Sequence, residues 1–174
     1  MTNTLSQMQM LYVAEEDRVL FRVNSTAGEE FRFWLTRRYS LLLIKVLQDY
    51  ADKDPDVSAQ ATVEKKKAVE EFKQQQRIGD ANFSKVFAEK SNSFPLGEVN
   101  HLAFKLSFSL KDASLQLSIQ PRAGQGINFV INQEINASMI QLLKAASVKG
   151  DWRIESAFPT SGQPAAALEK RVIN

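Results

Sequence analysis

Arg18–Gln48, RVLFRVNSTAGEEFRFWLTRRYSLLLIKVLQ, and Ser114–Lys144, SLQLSIQPRAGQGINFVINQEINASMIQLLK, lie on each other without a gap. The shift, from 18 to 114, is 96 residues. It places Ala27-Gly28 on Ala123-Gly124, Phe33 on Phe129, Ile44 on Ile140 and Leu47 on Leu143. Extended backwards, it puts Met10 on Leu106 and Tyr12 on Phe108. Identities are few, but both stretches share the order alternation, turn, alternation, helix, and self-similarity at a fixed spacing is how a repeated unit shows itself in sequence.

Each copy reads physically. Val19, Phe21 and Val23 alternate with Leu20, Arg22 and Asn24, the two-residue period of a strand. STAGEE is a turn in which Gly28 can take positive φ. Phe31, Phe33 and Leu35 form the inward face of the next strand, and Thr36 is placed to cap a helix running to about Tyr50. Leu42, Leu43, Val46, Leu47 and Tyr50 make its apolar stripe. In the second copy HLAFKLSFSL predicts one strand with Leu102, Phe104, Leu106, Phe108 and Leu110 on a single face. Lys111-Asp112 turns the chain, and Leu115, Leu117 and Ile119 continue the pattern. RAGQG turns again, and Ile127, Phe129 and Ile131 face the core. Asn132 caps a helix carrying Ile135, Met139, Ile140 and Leu143, closed by Gly150 in C-cap position.

The expected fold is therefore α+β, with duplicated β-β-β-α units: two antiparallel meanders, each closed by a helix, around an inserted helical segment. One pseudo-symmetric domain spans 1–158, with repeat one at 8–53, the insert at 54–100 and repeat two at 101–158. A flexible tail follows at 159–174. In the insert, DKDPD breaks the first helix. SAQATVEKKKAVEEFKQQQ forms another, whose stripe of Ala61, Ala68, Val69 and Phe72 is too thin for a core helix. Phe83, Phe87 and Phe94 are expected to anchor the following loop, and DWRIESAF to add a short strand.

A chain of 174 residues buries a core without disulfides, and it has no cysteine. Its formal charge of +2 gives no bulk attraction to polyanions, and no segment forms a basic arm. MTNTLSQMQM lacks the basic start and apolar core of a signal peptide. The run around LLLIKVL is too short to cross a bilayer. These features predict a soluble, cytoplasmic protein that does not engage membranes.

Two groups of residues are candidate binding positions. Arg37 and Arg38 follow the helix cap, where two guanidinium groups beside free helix amides could hold a phosphate. The plainer reading is a solvated first turn pairing with Glu29 or Glu30. The outward sheet face of the first copy carries Leu20, Arg22, Asn24, Arg32 and Trp34. Arginines interleaved with an aromatic are what a single-stranded nucleic acid platform uses. The competing reading puts Trp34 and Leu20 under the inserted helix or in a subunit contact. His101 starts a strand and reads as structural; Glu15-Glu16-Asp17 reads as a hairpin turn. No His/Asp/Glu cluster has metal-ligand spacing, GQG at Gly124 lacks the rest of a dinucleotide fingerprint, and no serine sits in a nucleophile elbow. No catalytic residue, metal ligand or cofactor is nominated.

The combination EDRVLFRVNSTAGEEFRFWLTRR, FPLGEVN and GQGINFVINQE…MIQLLKAA…DW resembles a family of uncharacterised proteobacterial proteins, a resemblance over most of the chain that implies no known activity. The order of strands closed by a helix is also similar to the PUR-repeat and Whirly single-stranded DNA binders. Those have four strands before each helix where three are counted here, and their binding motifs have no copy in this chain. The reading that results is a non-enzymatic binding or interaction protein, acting through a sheet face or the inserted helix, with a protein partner or self-association. Its rival is a single-stranded nucleic acid module using Arg22, Arg32, Trp34, Arg37 and Arg38. A more distant third is an enzyme with a pocket between the repeats.

Overall fold

The computed structural model describes residues 4–81, 86–88 and 91–154. Phe83 and the tail after Pro159 lie outside the described residues. The chain is α+β, with element order β1 (Leu5–Val13), β2 (Arg18–Ser25), β3 (Glu30–Leu35), α1 (Arg37–Ala51), α2 (Pro55–Ser58), α3 (Val63–Asp80), β4 (His101–Leu102), β5 (Lys105–Lys111), β6 (Ser114–Gln120), β7 (Ile127–Ile131) and α4 (Gln133–Lys149). One sheet has the order β1-β2-β3-β4 and the other β5-β6-β7.

Alternation produces the strands and decides which face is buried. Val19, Phe21, Val23, Phe31, Phe33 and Leu35 are buried in the first sheet, and Leu115, Leu117, Ile119, Ile127, Phe129 and Ile131 in the second. Phe21 pairs with Phe33 and Leu117 with Phe129, so the β2–β3 and β6–β7 ladders have the same register at the 96-residue shift. Both sets enter one hydrophobic core with Leu43, Ile44 and Leu47 of α1 and Met139, Ile140 and Leu143 of α4.

The first strand of each unit departs from that shift. Val13 pairs with Arg18 across a four-residue turn, whereas Lys111 pairs with Ser114 across two residues. Asp112 and Ala113 both have positive φ (49° and 61°), as a two-residue hairpin requires. The turn is therefore Asp112-Ala113, not Lys111-Asp112. The shorter turn moves the ladder by two residues. Met10 pairs with Phe21, and the residue facing the corresponding Leu117 is Phe108, not Leu106.

HLAFKLSFSL is also not one strand. His101-Leu102 runs parallel to Phe33-Trp34 as the fourth strand of the first sheet, and Ala103 N–H donates to the Trp34 carbonyl. Phe104 N–H then donates to the Gln120 carbonyl, and the chain enters the second sheet. One alternating pattern thus serves two sheets, because period two is equally satisfied on either.

Helix boundaries follow the caps. Thr36 Oγ1 accepts from Tyr39 N–H at 3.2 Å, and Asn132 Oδ1 from Ile135 N–H at 2.9 Å. Tyr39, Leu43, Ile44, Val46, Leu47 and Tyr50 are buried on α1, while Leu42, expected in the stripe, is exposed. Gly150 does not close α4 in the left-handed conformation; its φ is −88°. A glycine is needed there for space, since a Cβ would come within 2.7 Å of the Tyr12 ring. Trp152 lies beyond it, edge-on to Tyr12 with centroids 5.8 Å apart, and α4 lies against β1. Asp151–Ile154, expected to contribute to a strand, form none.

The two helices cross between the units. Tyr39 and Tyr50 on α1 donate to the carbonyls of Lys105 and Ala113 in the second unit. Gln133 and Asn136 at the start of α4 donate to the Tyr50 and Leu47 carbonyls at the end of α1, both at 2.9 Å. Pro55 opens α2 behind an Asp54 cap. The longer α3 buries none of its residues, and Phe72 is 67% exposed rather than part of a stripe. Polar contacts hold it: Lys73 to Asp54 at 2.7 Å, Arg77 to Asp54, Lys73 to Asp56, and Gln48 to Glu70.

Candidate functional site

The outward face of the first sheet divides into two zones. In the first, Glu30 is buried with its side chain fully covered. It shares its outward side with Arg32, two residues on, and Arg32 pairs directly with Arg22 on β2. Two like charges opposite each other repel unless an anion lies between them. Glu30 is that anion: Arg22 Nε donates to it at 2.9 Å and Arg32 Nε at 2.6 Å, and Ser91 Oγ adds a third bond at 2.6 Å. These donors hold the Glu30 carboxyl below its ordinary range against the opposing effect of burial.

The loop after α3 closes this zone. Phe87 lies 4.4 Å beneath the Arg22 guanidinium and Phe94 4.7 Å from that of Arg32. Gln7 accepts from Ala88 N–H, Asn24 donates to the Ala88 carbonyl, and Glu30 N–H to that of Ser93. Phe87 and Phe94 thus anchor the loop as expected, on the arginines themselves. It is this loop, not the inserted helix, that covers the arginines.

The second zone is apolar. Leu11 pairs with Leu20, Leu20 with Trp34, and Trp34 with Leu102. The four side chains form one row across all four strands. Leu11 and Leu102 are 41% and 42% exposed, and Leu20 and Trp34 are half-buried. Trp34 sits inside the row, flanked by leucine on both sides.

The helix-start arginines separate. Arg37 Nε donates to the Trp152 carbonyl at 2.9 Å, tying the start of α1 to the chain just past α4. Arg37 and Arg38 are both exposed, as a solvated first turn has them, but neither pairs with Glu29 or Glu30. Arg38 is exposed and makes no hydrogen bond or ion pair among the described residues. The structure brings Arg22 and Arg32 together and sets Trp34 in a separate row beside them, while Arg37 is committed elsewhere. His101 Nε2–H donates to the Leu96 carbonyl, 2.7 Å away, in a structural contact.

Glu30 was missed as the organiser of this face. Its signal was present: an acid and an arginine two apart on a strand share a face, and a second arginine falls opposite. Ser91 had no such signal, because only the loop's path brings it there.

Outside this face, a groove of about 480 Å³ runs over the outer side of the second sheet, lined by Ser107, Ser109, Gln116, Ser118, Asn128 and Val130 among others. Between the halves, α1, α3 and α4 line a crevice of about 10 Å³ beside Gln133 and Asn136. No group of three or more His, Cys, Asp or Glu among the described residues could hold a metal ion, and no described helix is long and apolar enough to cross a membrane. Comparison with family models, with curated proteins and with solved structures gives no match.

Proposed function

We propose that this chain is a non-enzymatic interaction protein that binds a protein surface, a second copy of itself included, through the row Leu11–Leu20–Trp34–Leu102. The observation carrying this reading is that row: an aromatic set among leucines across four strands, all with surface exposed to solvent. A central aromatic ringed by apolar contacts is the anatomy of an interface hot spot.

Single-stranded nucleic acid is the weaker reading of the same face. It needs guanidinium groups beside Trp34 that can meet phosphate. Arg22 and Arg32 are already bonded to Glu30 and stacked on Phe87 and Phe94.

The test combines sedimentation over a concentration series, capture of proteins from an extract of the host cells, and titration of a labelled mixed-sequence oligonucleotide at two salt concentrations. Association or capture that is lost in Trp34→Glu and kept in Arg38→Ala supports the proposal. Oligonucleotide binding that weakens steeply with salt and needs Arg32 replaces it with the nucleic acid reading. A monomer at every concentration that captures nothing overturns it.

A further inference from the structure

We propose that β5 is a docking edge for an extended, acid-ended segment of a partner protein, which joins the second sheet as a fourth strand. This surface is separate from the Trp34 row and does not depend on it.

The backbone is set for strand addition. In a two-residue hairpin the closing pair, here Lys111 and Ser114, exchanges both hydrogen bonds, and pairs alternate from there. The N–H and C=O groups of Phe108 and Leu110 consequently point away from β6. No strand lies beside β5 on that side among the described residues. β1 and β5 are both end strands of their sheets, so the difference between them lies in what covers each.

The side chains are equally open. Phe108 and Leu110 face the core side of the sheet, opposite the buried Leu117 and Leu115, yet are 59% and 48% exposed. Met10 stands in the corresponding place of the first unit and is only 6% exposed. There α4 lies against β1, and Trp152 covers Tyr12. The end of α1 leads instead into Asp52-Lys53-Asp54-Pro55, which offers no aromatic to cover β5.

Charge selects the occupant. Lys105 and Lys111 stand exposed at the two ends of β5, and Arg122 is exposed beside Phe104. Between residues 101 and 132 the one acid is Asp112. A second copy pairing antiparallel about Phe108 would set Lys105 against Lys111, and like charges directly opposite are unfavourable. A foreign strand with apolar residues at alternate positions and Glu or Asp at its ends satisfies the edge, the strip and both lysines.

Fluorescence polarisation with two synthetic peptides tests this, both alternating valine and threonine, one ended by glutamates and one by lysines. The full-length protein is expected to bind the glutamate-ended peptide, and Phe108→Asp to lose it. The double variant Lys105→Glu/Lys111→Glu is expected to reverse the preference by about tenfold. Unchanged circular dichroism and melting temperature show that these exposed positions leave the fold intact. No binding of either peptide, binding indifferent to Phe108→Asp, a preference the charge reversal leaves unchanged, or full displacement by a single-stranded oligonucleotide overturns the proposal. Trp34→Glu leaves peptide binding unaltered, which keeps this result apart from the fate of the Trp34 row.

Discussion

Arg37 Nε donates to the Trp152 carbonyl at 2.9 Å, across 115 residues of chain. Gln133, in the corresponding place on α4, donates to the Tyr50 carbonyl near the end of α1. Each long helix of the two units thus begins by clasping the chain near or just past the end of the other. Arg37→Ala is expected to cost about 1 kcal/mol, because a charged donor to a partly buried carbonyl is lost. Arg38→Ala, at an exposed residue with no hydrogen bond or ion pair among the described residues, should stay within about 0.5 kcal/mol of wild type. Urea denaturation of the two neighbours separates them.

Glu30 holds two arginines that otherwise face each other. Glu30→Ala removes the buried carboxylate to which both guanidinium groups donate, and about 3 kcal/mol of destabilisation is expected. Loss of the ion cluster should also loosen the loop carrying Phe87 and Phe94. Faster amide exchange at Ala88 and Asn92 would report that loosening.

The acid limb of stability follows from carboxylates whose folded pKa is depressed. Hydrogen bonds and charge from Lys73 and Arg77 outweigh burial and hold Asp54 down to about 2, and Glu30 is lowered as well. Such groups contribute stability above their unfolded pKa, near 4. That contribution is lost as pH falls toward 2. Asp54→Asn should flatten this limb in denaturation measured across acid pH.

Glu70 runs the other way. Partial burial against α1, followed by the nearby Asp52 charge, pushes it up to about 7. Below its unfolded pKa, near 4.3, the group is protonated in both states and costs nothing. Between that value and about 7 the unfolded chain gives up the proton first, so stability declines with rising pH. Glu70→Gln keeps the contact with Gln48 polar and is expected to remove this decline, making the variant the more stable protein at pH 8. A variant with an unchanged pH slope would mean that α3 does not dock through Glu70.

Gly150→Ala tests the packing of α4 on β1. The added methyl meets the Tyr12 ring at 2.7 Å and the Trp152 indole nitrogen at 3.0 Å, two rings already edge-on to each other. Overpacking of this kind costs about 1–3 kcal/mol. Thermal melting with tryptophan fluorescence as the signal would register both the cost and the displaced ring.

The sequence made the strands legible wherever one face is buried and the other is not, as in Phe21, Phe33, Leu117 and Phe129. Caps at Thr36 and Asn132 were legible because a short polar side chain precedes each apolar helix. Period two could not show that Leu102 and Leu106 belong to different sheets, since alternation carries no sign of its partner. A two-residue difference in turn length likewise left the alternation intact while moving Phe108, not Leu106, opposite Leu117. The aromatic-basic face was read correctly as a face, but its arginines meet Glu30, Phe87 and Phe94. That assembly depends on the path of a loop, which local pattern does not encode. Phe72 was assigned to a stripe because α3 has helical spacing, yet it is exposed, and ion pairs to Asp54 help hold the helix.

Met10 on β1 and Phe108 on β5 face Phe21 and Leu117 across their ladders but are covered differently. A chain without cysteine permits a direct measurement: single Met10→Cys and Phe108→Cys variants at corresponding edge positions, each treated with a thiol reagent under native conditions. The thiol at position 108 is expected to react at nearly the rate of a free peptide, and that at position 10 only as the structure opens. Equal protection at both positions would contradict the open β5 edge.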